Sequence, residues 1–209
     1  MTVLVVDTCL AACQVAVFDG ARMAAGASEA MERGHQERLA TMTSEVMARA
    51  GLPFAALDKI AVTVGPGSFT GLRVGLAFAK GLRLATGAAL AGVGTLAALA
   101  AGVPGGAAAG VIDARRGLVY VQAFMEGRAL ADPDILPLAV AAERLRPLDG
   151  LRLTGPGAAL LADLLPAAEL LARPAPDLAA LGRLALAAEA APDLSPLYLR
   201  APDARPMPS

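Results

Sequence analysis

Residues 2–28 read TVLVVDTCLAACQVAVFDGARMAAGAS. An apolar run at 3–6 stops at Asp7, and an extended pattern resumes at 14–18 and again at 21–28. Asp19-Gly20 joins the last two runs, and that dipeptide suits the positive dihedrals of a two-residue hairpin turn. The stretch therefore predicts three consecutive strands in an antiparallel meander.

Beyond it the period changes. Leu39, Met42, Val46 and Met47 recur at helical spacing, so residues 35–50 read as a helix closed by Gly51 at the position glycine favours. Residues 60–64 form a short apolar strand ending in Gly65-Pro66-Gly67, and a second helix follows over 70–86, with Ser68 or Thr70 as its cap. A strand at 90–93 and a brief helix at 96–100 complete an order of three strands, helix, strand, helix, strand. Composition then turns to Gly, Pro and Ala over 103–110, which suggests a boundary between a unit of residues 1–102 and one of 103–209. The second unit opens with strands at 109–112 and 118–124 around Asp113-Ala114-Arg115-Arg116-Gly117. Weaker signals give a helix at 139–145, a strand at 151–154, and helices at 158–165 and 178–190. The Pro-rich tail from 192 is expected to be irregular, and the last helix and tail to pack back on the first unit.

Composition narrows the function classes. Hydrophobic residues make up 56% of the chain against 18% charged, which excludes disorder as a global description. Net charge is −1, whereas a chain that grips tRNA by itself normally carries a basic surplus. Any link to RNA is expected to be indirect, unless the charge says nothing about partners. Cys9 and Cys13 read as small apolar residues rather than a disulfide framework. The N-terminal run is too short for a signal peptide. Residues 84–112 carry no charge, but glycines and Pro104 break them repeatedly, so no membrane span is expected there.

The segment Gly65-Pro66-Gly67-Ser68-Phe69-Thr70-Gly71-Leu72-Arg73-Val74-Gly75 follows a strand and opens a helix. It lacks the Gly-Lys-Ser/Thr of a P-loop, and Thr70 stands where a dinucleotide fingerprint needs its third glycine. Glycines that permit a tight turn and close packing are the simpler reading. Gly71, Gly75 and Ala79 fall four residues apart and make a smooth ridge against which another helix can approach closely. That helix belongs either to the same chain, with 35–50 the obvious choice, or to a partner. In the partner case the ridge is exposed in the isolated chain, and a bulky residue at Gly75 blocks assembly while leaving the fold intact.

Three antiparallel strands followed by alternating helix and strand is the pattern of the actin-like ATPase (ribonuclease H-like) fold: two lobes, each a mixed sheet flanked by helices. Such lobes clamp a nucleotide between polar turns, where backbone N–H groups and hydroxyls meet phosphate. Asp7-Thr8 and Asp113 to Gly117 occupy the two expected turns, which makes Asp7, Thr8 and Asp113 the candidates for nucleotide binding, with the two carboxylates facing each other across a cleft. Arg115 and Arg116 either bind an anion there or are solvated turn residues.

Several of these motifs together resemble the TsaB family. They are Asp7-Thr8 after a strand, His35-Gln36-Glu37-Arg38-Leu39 opening a helix, and the run from Gly65 to Gly75. Gly92-Val93-Gly94-Thr95-Leu96, Ile112 to Gly117, and Pro196-Leu197-Tyr198-Leu199-Arg200 follow in the same order. Residues 130–193 add little. Cys9 stands where the family commonly has Ser. The resemblance implies a non-catalytic subunit in the formation of threonylcarbamoyladenosine in tRNA, beside the anticodon, in the cytoplasm. It implies a TsaD-like catalytic partner bound through the N-terminal lobe and a TsaE-like P-loop ATPase. It also implies a homodimer when the chain is alone, contact with tRNA only through the complex, and no cofactor. The interface candidates are Leu39, Met42 and Val46 on the first helix and Gly71, Leu72, Gly75, Phe78, Ala79 and Leu82 on the second. The catalytic relative holds a metal with two histidines, and His35 is the single histidine here, so no metal site and no catalytic residue are expected. The alternative reading is a stand-alone actin-like small-molecule kinase or ATPase.

Overall fold

The computed structural model describes residues 1–199; Arg200, the last residue of the final motif, lies outside them. The meander forms as expected, with β1 (Thr2–Asp7), β2 (Ala12–Asp19) and β3 (Arg22–Ala30) pairing antiparallel in sequence order. Helix α1 (His35–Ala50) ends at Gly51, whose φ of 68° is the left-handed cap that glycine adopts freely. Strand β4 (Lys59–Gly65) then pairs parallel to β1. Helix α2 (Phe69–Thr86) carries Ser68 as its cap, β5 (Ala89–Gly94) pairs parallel to β4, and α3 (Thr95–Ala101) follows. The first sheet therefore has the order β3-β2-β1-β4-β5.

Alternation along the strands splits this sheet into two apolar faces, because successive side chains point to opposite sides. Leu4 and Val6 of β1, with Ile60 and Val62 of β4, pack under Leu39, Met42 and Val46 of α1 and Leu76 and Ala79 of α2. Val3, Val5, Ala61 and Ala91 face the other way, against Ala98 of α3 and Leu181 and Ala185 of α5 (Leu178–Ala187).

The second sheet repeats the plan. Strands β6 (Ala107–Arg115), β7 (Leu118–Met125) and β9 (Asp134–Pro137) pair antiparallel, and β10 (Arg152–Thr154) and β11 (Glu169–Leu171) add in parallel beyond β6. A two-residue strand, β8 (Arg128–Ala129), pairs with the far end of β7. Helix α4 (Leu138–Leu145) buries Ala141, Ala142 and Leu145 against this sheet. Reading β9-β7-β6-β10-β11 against β3-β2-β1-β4-β5 gives one topology used twice. This is the expected two-lobed actin-like arrangement.

Five elements differ from expectation. The helix expected over 158–165 is a single 3₁₀ turn, Ala158–Leu161, followed by further turns. The helix expected over 178–190 stops at Ala187, and Ala190 forms an antiparallel bridge with Ala91 at the edge of β5. Strands β8, β9 and β11 were not foreseen, since runs of two to four residues leave no period to read.

After α5 the chain runs back along the first sheet. Lys59 Nζ, almost fully buried, donates to the carbonyls of Ala185, Leu186 and Ala188 at the end of α5. Downstream, Lys80 pairs with Asp193 and Arg83 donates to the Pro192 carbonyl. Leu194 packs into the first core, and the Leu197 amide donates to the Val64 carbonyl at 2.7 Å.

Candidate functional site

Two surfaces compete for the role of functional site: the cleft between the sheets, and the outer face of α1 and α2.

The cleft has a volume of about 520 Å³, and Cys9, His35, Ser68, Asp113, Arg115 and Tyr120 are among its lining residues. The structure corrects the expected pair of facing carboxylates. Asp113 lines the cleft, but it is tied to its own turn, accepting from the Arg115 amide at 2.7 Å and facing the Arg115 guanidinium at 3.4 Å. Asp7 lies beneath the surface with no exposure. Its Oδ1 accepts from the Thr63 hydroxyl at 2.6 Å and from the Cys9 amide at 3.0 Å, while its Oδ2 is buried and unpaired among the described residues. Burial raises the Asp7 pKa because the charged form loses its hydration. The Thr63 hydroxyl, the Cys9 amide and thiol, and the charge of His35 pull it back only in part. Thr8 is equally sealed, donating its hydroxyl to the Gly71 carbonyl at 2.7 Å. Neither residue is placed to touch a cleft ligand.

The Cys9 thiol donates to Thr63 Oγ1 at 2.9 Å, and burial, reinforced by the charge of Asp7, pushes its pKa far above that of a free thiol. A reactive cysteine needs the opposite shift. His35 is buried at the start of α1, and its Nε2 has no hydrogen-bond partner among the described residues. The Arg115 side chain is 85% exposed apart from its contact with Asp113. Among the described residues no group of three or more His, Cys, Asp or Glu side chains is placed to hold a metal ion.

On the helices, the interface candidates divide by burial. Leu39, Met42 and Val46 lie in the core under α1, while Gly71, Leu72, Gly75 and Ala79 are buried beneath α2; only Phe78 and Leu82 are partly exposed. The glycine ridge does face a close neighbour, but that neighbour is not a helix. A Cβ on Gly71 would collide with the Thr8 carbonyl oxygen, and one on Gly75 would lie 2.6 Å from Thr8 Oγ1. The ridge is thus not exposed in the isolated chain. A bulky residue at Gly75 attacks the fold first, contrary to expectation.

The surface that α2 does offer is one face over. Arg73, Ala77, Lys80 and Leu84 recur at helical spacing and are all exposed, Leu84 by 88%. Gln36, Ala40, Ser44 and Ala48 form a parallel exposed row on α1. Between the helices runs a groove of about 500 Å³, lined by Gln36, Phe69, Val74, Ala77 and Phe78 among others. Sequence reasoning missed Phe69, Arg73, Ala77 and Leu84. Their signal was the helical phase one face round from Leu72, Leu76 and Ala79, where Phe69 and Leu84 place apolar side chains among the cations Arg73 and Lys80.

With this geometry in view, comparison with known proteins is informative. The model of the family described as "TsaD: tRNA N6-adenosine threonylcarbamoyltransferase" matches residues 28–144, more than half of the chain. The solved structure of YeaZ from Pseudomonas aeruginosa superposes with a TM-score of 0.81 at 30% identity, covering 95% of this chain and 99% of that one. The chain belongs to the TsaB/YeaZ family. Escherichia coli TsaB, named as a tRNA threonylcarbamoyladenosine biosynthesis protein, is 36% identical over 124 residues, 57% of this chain and 53% of that protein. The match thus spans about half the length of that curated relative. A ROK hexokinase from Thermus thermophilus, at a TM-score of 0.51 and 15% identity over 90% of this chain and 98% of that one, shares the actin-like fold. No helix among the described residues is long and apolar enough to cross a membrane.

Proposed function

We propose that the chain is a non-catalytic partner subunit in the formation of threonylcarbamoyladenosine in tRNA, binding a TsaD-like catalytic subunit through the outer face of α1 and α2. Family membership and the biosynthetic role named for the E. coli relative support the process. The observation that carries the partner role is the exposed stripe of α2, where Leu84 stands almost fully in solvent in the same row as Arg73 and Ala77, which line the groove to α1. Large apolar side chains left in solvent beside a groove, here Leu84 with the half-exposed Phe69, suit an association surface. The same face serves a homodimer when the catalytic partner is absent. A TsaE-like P-loop ATPase joins the assembly, tRNA is met only through the complex, and the site of action is the cytoplasm.

The alternative of a stand-alone kinase or ATPase needs a carboxylate that can reach a nucleotide or its metal. Sealing of Asp7 beneath the Thr63 and Cys9 contacts counts against it.

The test is calorimetric titration of the chain with the TsaD-like protein of the same organism. Leu84→Arg should weaken binding by about tenfold or more, equivalent to about 1.4 kcal/mol, with an unchanged melting temperature. Wild-type affinity in that variant would remove the helical face from the proposal.

A further inference from the structure

Two sequence motifs far apart in the chain meet in space. Phe69, from the segment at 65–75, and Tyr198, from the C-terminal motif, lie with ring centroids 5.6 Å apart at a 33° tilt. The Arg73 guanidinium sits 3.7 Å above the Phe69 ring, and its Nε donates to the Tyr198 hydroxyl at 3.3 Å. Both rings are nearly half exposed, and Phe69 and Arg73 line the groove between α1 and α2.

We infer that Arg73, held over the Phe69 ring and bonded through Nε to the Tyr198 hydroxyl, is a recognition point for a carboxylate on the partner subunit, so that the C-terminal strap forms part of the docking surface. This rests on the reading that the α1/α2 face binds the catalytic homologue. Five features of the chain argue for it. The Phe69 ring and the Nε hydrogen bond hold the guanidinium in place but use one of its five N–H donors, leaving the terminal fork for a planar bidentate acceptor. Among the described residues no carboxylate pairs with Arg73. The other cations of α2 are already engaged by the strap, Lys80 by Asp193 and Arg83 by the Pro192 carbonyl, so Arg73 is the cation α2 has left for a partner. Finally, the strap is pinned upstream by the Leu197 amide on the Val64 carbonyl and by Leu194 in the core, so Tyr198 is in place before a partner arrives and little ordering cost falls on binding. Paired aromatics with an arginine are also the composition of interface hot spots. The partner chemistry is therefore an acidic side chain bordered by apolar residues on a protein face.

The experiment titrates the TsaD-like protein of the same organism with the full chain and with Arg73→Gln, Arg73→Lys, Tyr198→Ala, Tyr198→Phe and Leu84→Arg, at low and moderate salt. Arg73→Gln and Tyr198→Ala should each weaken binding by about tenfold. Arg73→Lys should recover only part of the loss, because an ammonium cannot form the fork. Tyr198→Phe keeps the ring on Phe69 and should lose less than Tyr198→Ala. Wild-type affinity should fall with salt more steeply than that of Arg73→Gln. If Leu84→Arg weakens binding while Arg73→Gln and Tyr198→Ala bind like wild type, the inference fails and the docking face stands. If the wild-type chain does not bind at all, both fail.

Discussion

Gly71 and Thr8 are locked together from both sides: the Thr8 hydroxyl donates to the Gly71 carbonyl, and the Thr8 carbonyl occupies the space a Gly71 side chain would need. Because that obstacle is backbone, not a flexible side-chain end, Gly71→Ala should cost about 3 kcal/mol, the upper range for overpacking a well-filled core. Urea denaturation would show it, and a loss within error of zero would mean that α2 is free to shift. Small residues at a spacing of four foretold a close approach, but which group approaches was not legible. It depends on the turn after β1, a contact made across more than sixty positions of sequence. Asp7 supports a second prediction at this scale. Its folded pKa is raised above the ordinary value of 3.8, so the folded state holds the proton more tightly than the unfolded chain. Below that value both states are protonated and the group costs nothing. As pH climbs from 3.8 through the folded pKa, the unfolded chain ionises first and stability is lost. Asp7→Asn keeps an acceptor for Thr63 and Cys9 without the ionisation. Its stability relative to wild type should therefore improve from pH 4 to pH 7, and an unchanged difference at the two values would contradict the assignment.

The return of the chain after the second sheet turns on α5. Gly182 lets this helix lie against Phe18, whose ring would collide with any Cβ there. Lys59 reaches three carbonyls at the C-terminal end, where the helix dipole is negative and the last carbonyls lack internal partners. Lys59→Met keeps the length of the side chain and removes the charge. It should loosen α5 by about 1–2 kcal/mol, read as faster amide exchange over 178–188 while β1 and β4 stay protected. Equal acceleration throughout would mean that the lysine supports the whole fold. Elements of the first sheet could be read from sequence because each has a clear period: alternation or continuous apolar runs in the strands, and Leu and Met at three and four in α1. Those of the second sheet were harder. Strands β9 and β11 are only four and three residues long and gain their identity from pairing with β7 and β10. The leucines over 160–165 mimic a helix, yet two of them, Leu160 and Leu164, point to solvent. Tertiary pairing decided these segments, and local propensity could not.

At the scale of the whole molecule, one strand order serves twice, and the cleft between its two copies is where a nucleotide-binding relative would work. Here the carboxylate of the first turn is sealed and that of the second is held by its neighbouring arginine, while the exposed Phe69 and Leu84 lie outside, on α2. A chain with one such face can satisfy it in two ways, with a second copy or with the catalytic homologue, and the two are mutually exclusive if the same residues are covered. Mass action then dictates the outcome: a partner that binds the free monomer draws it from the homodimer in proportion to its own affinity. Sedimentation of the chain alone at rising concentration should show a reversible monomer–dimer equilibrium. Titrating in the TsaD-like protein should remove the homodimer peak as the heterodimer grows, with no larger species containing two copies joined through this face. Leu84→Arg should weaken both associations together, by about tenfold or more, since an uncompensated cation would be buried in either interface. A variant that loses the homodimer yet keeps full affinity for the catalytic protein would separate the two surfaces. The partner face would then have to be sought elsewhere, the edge of the second sheet with its exposed Leu170 being the next apolar candidate.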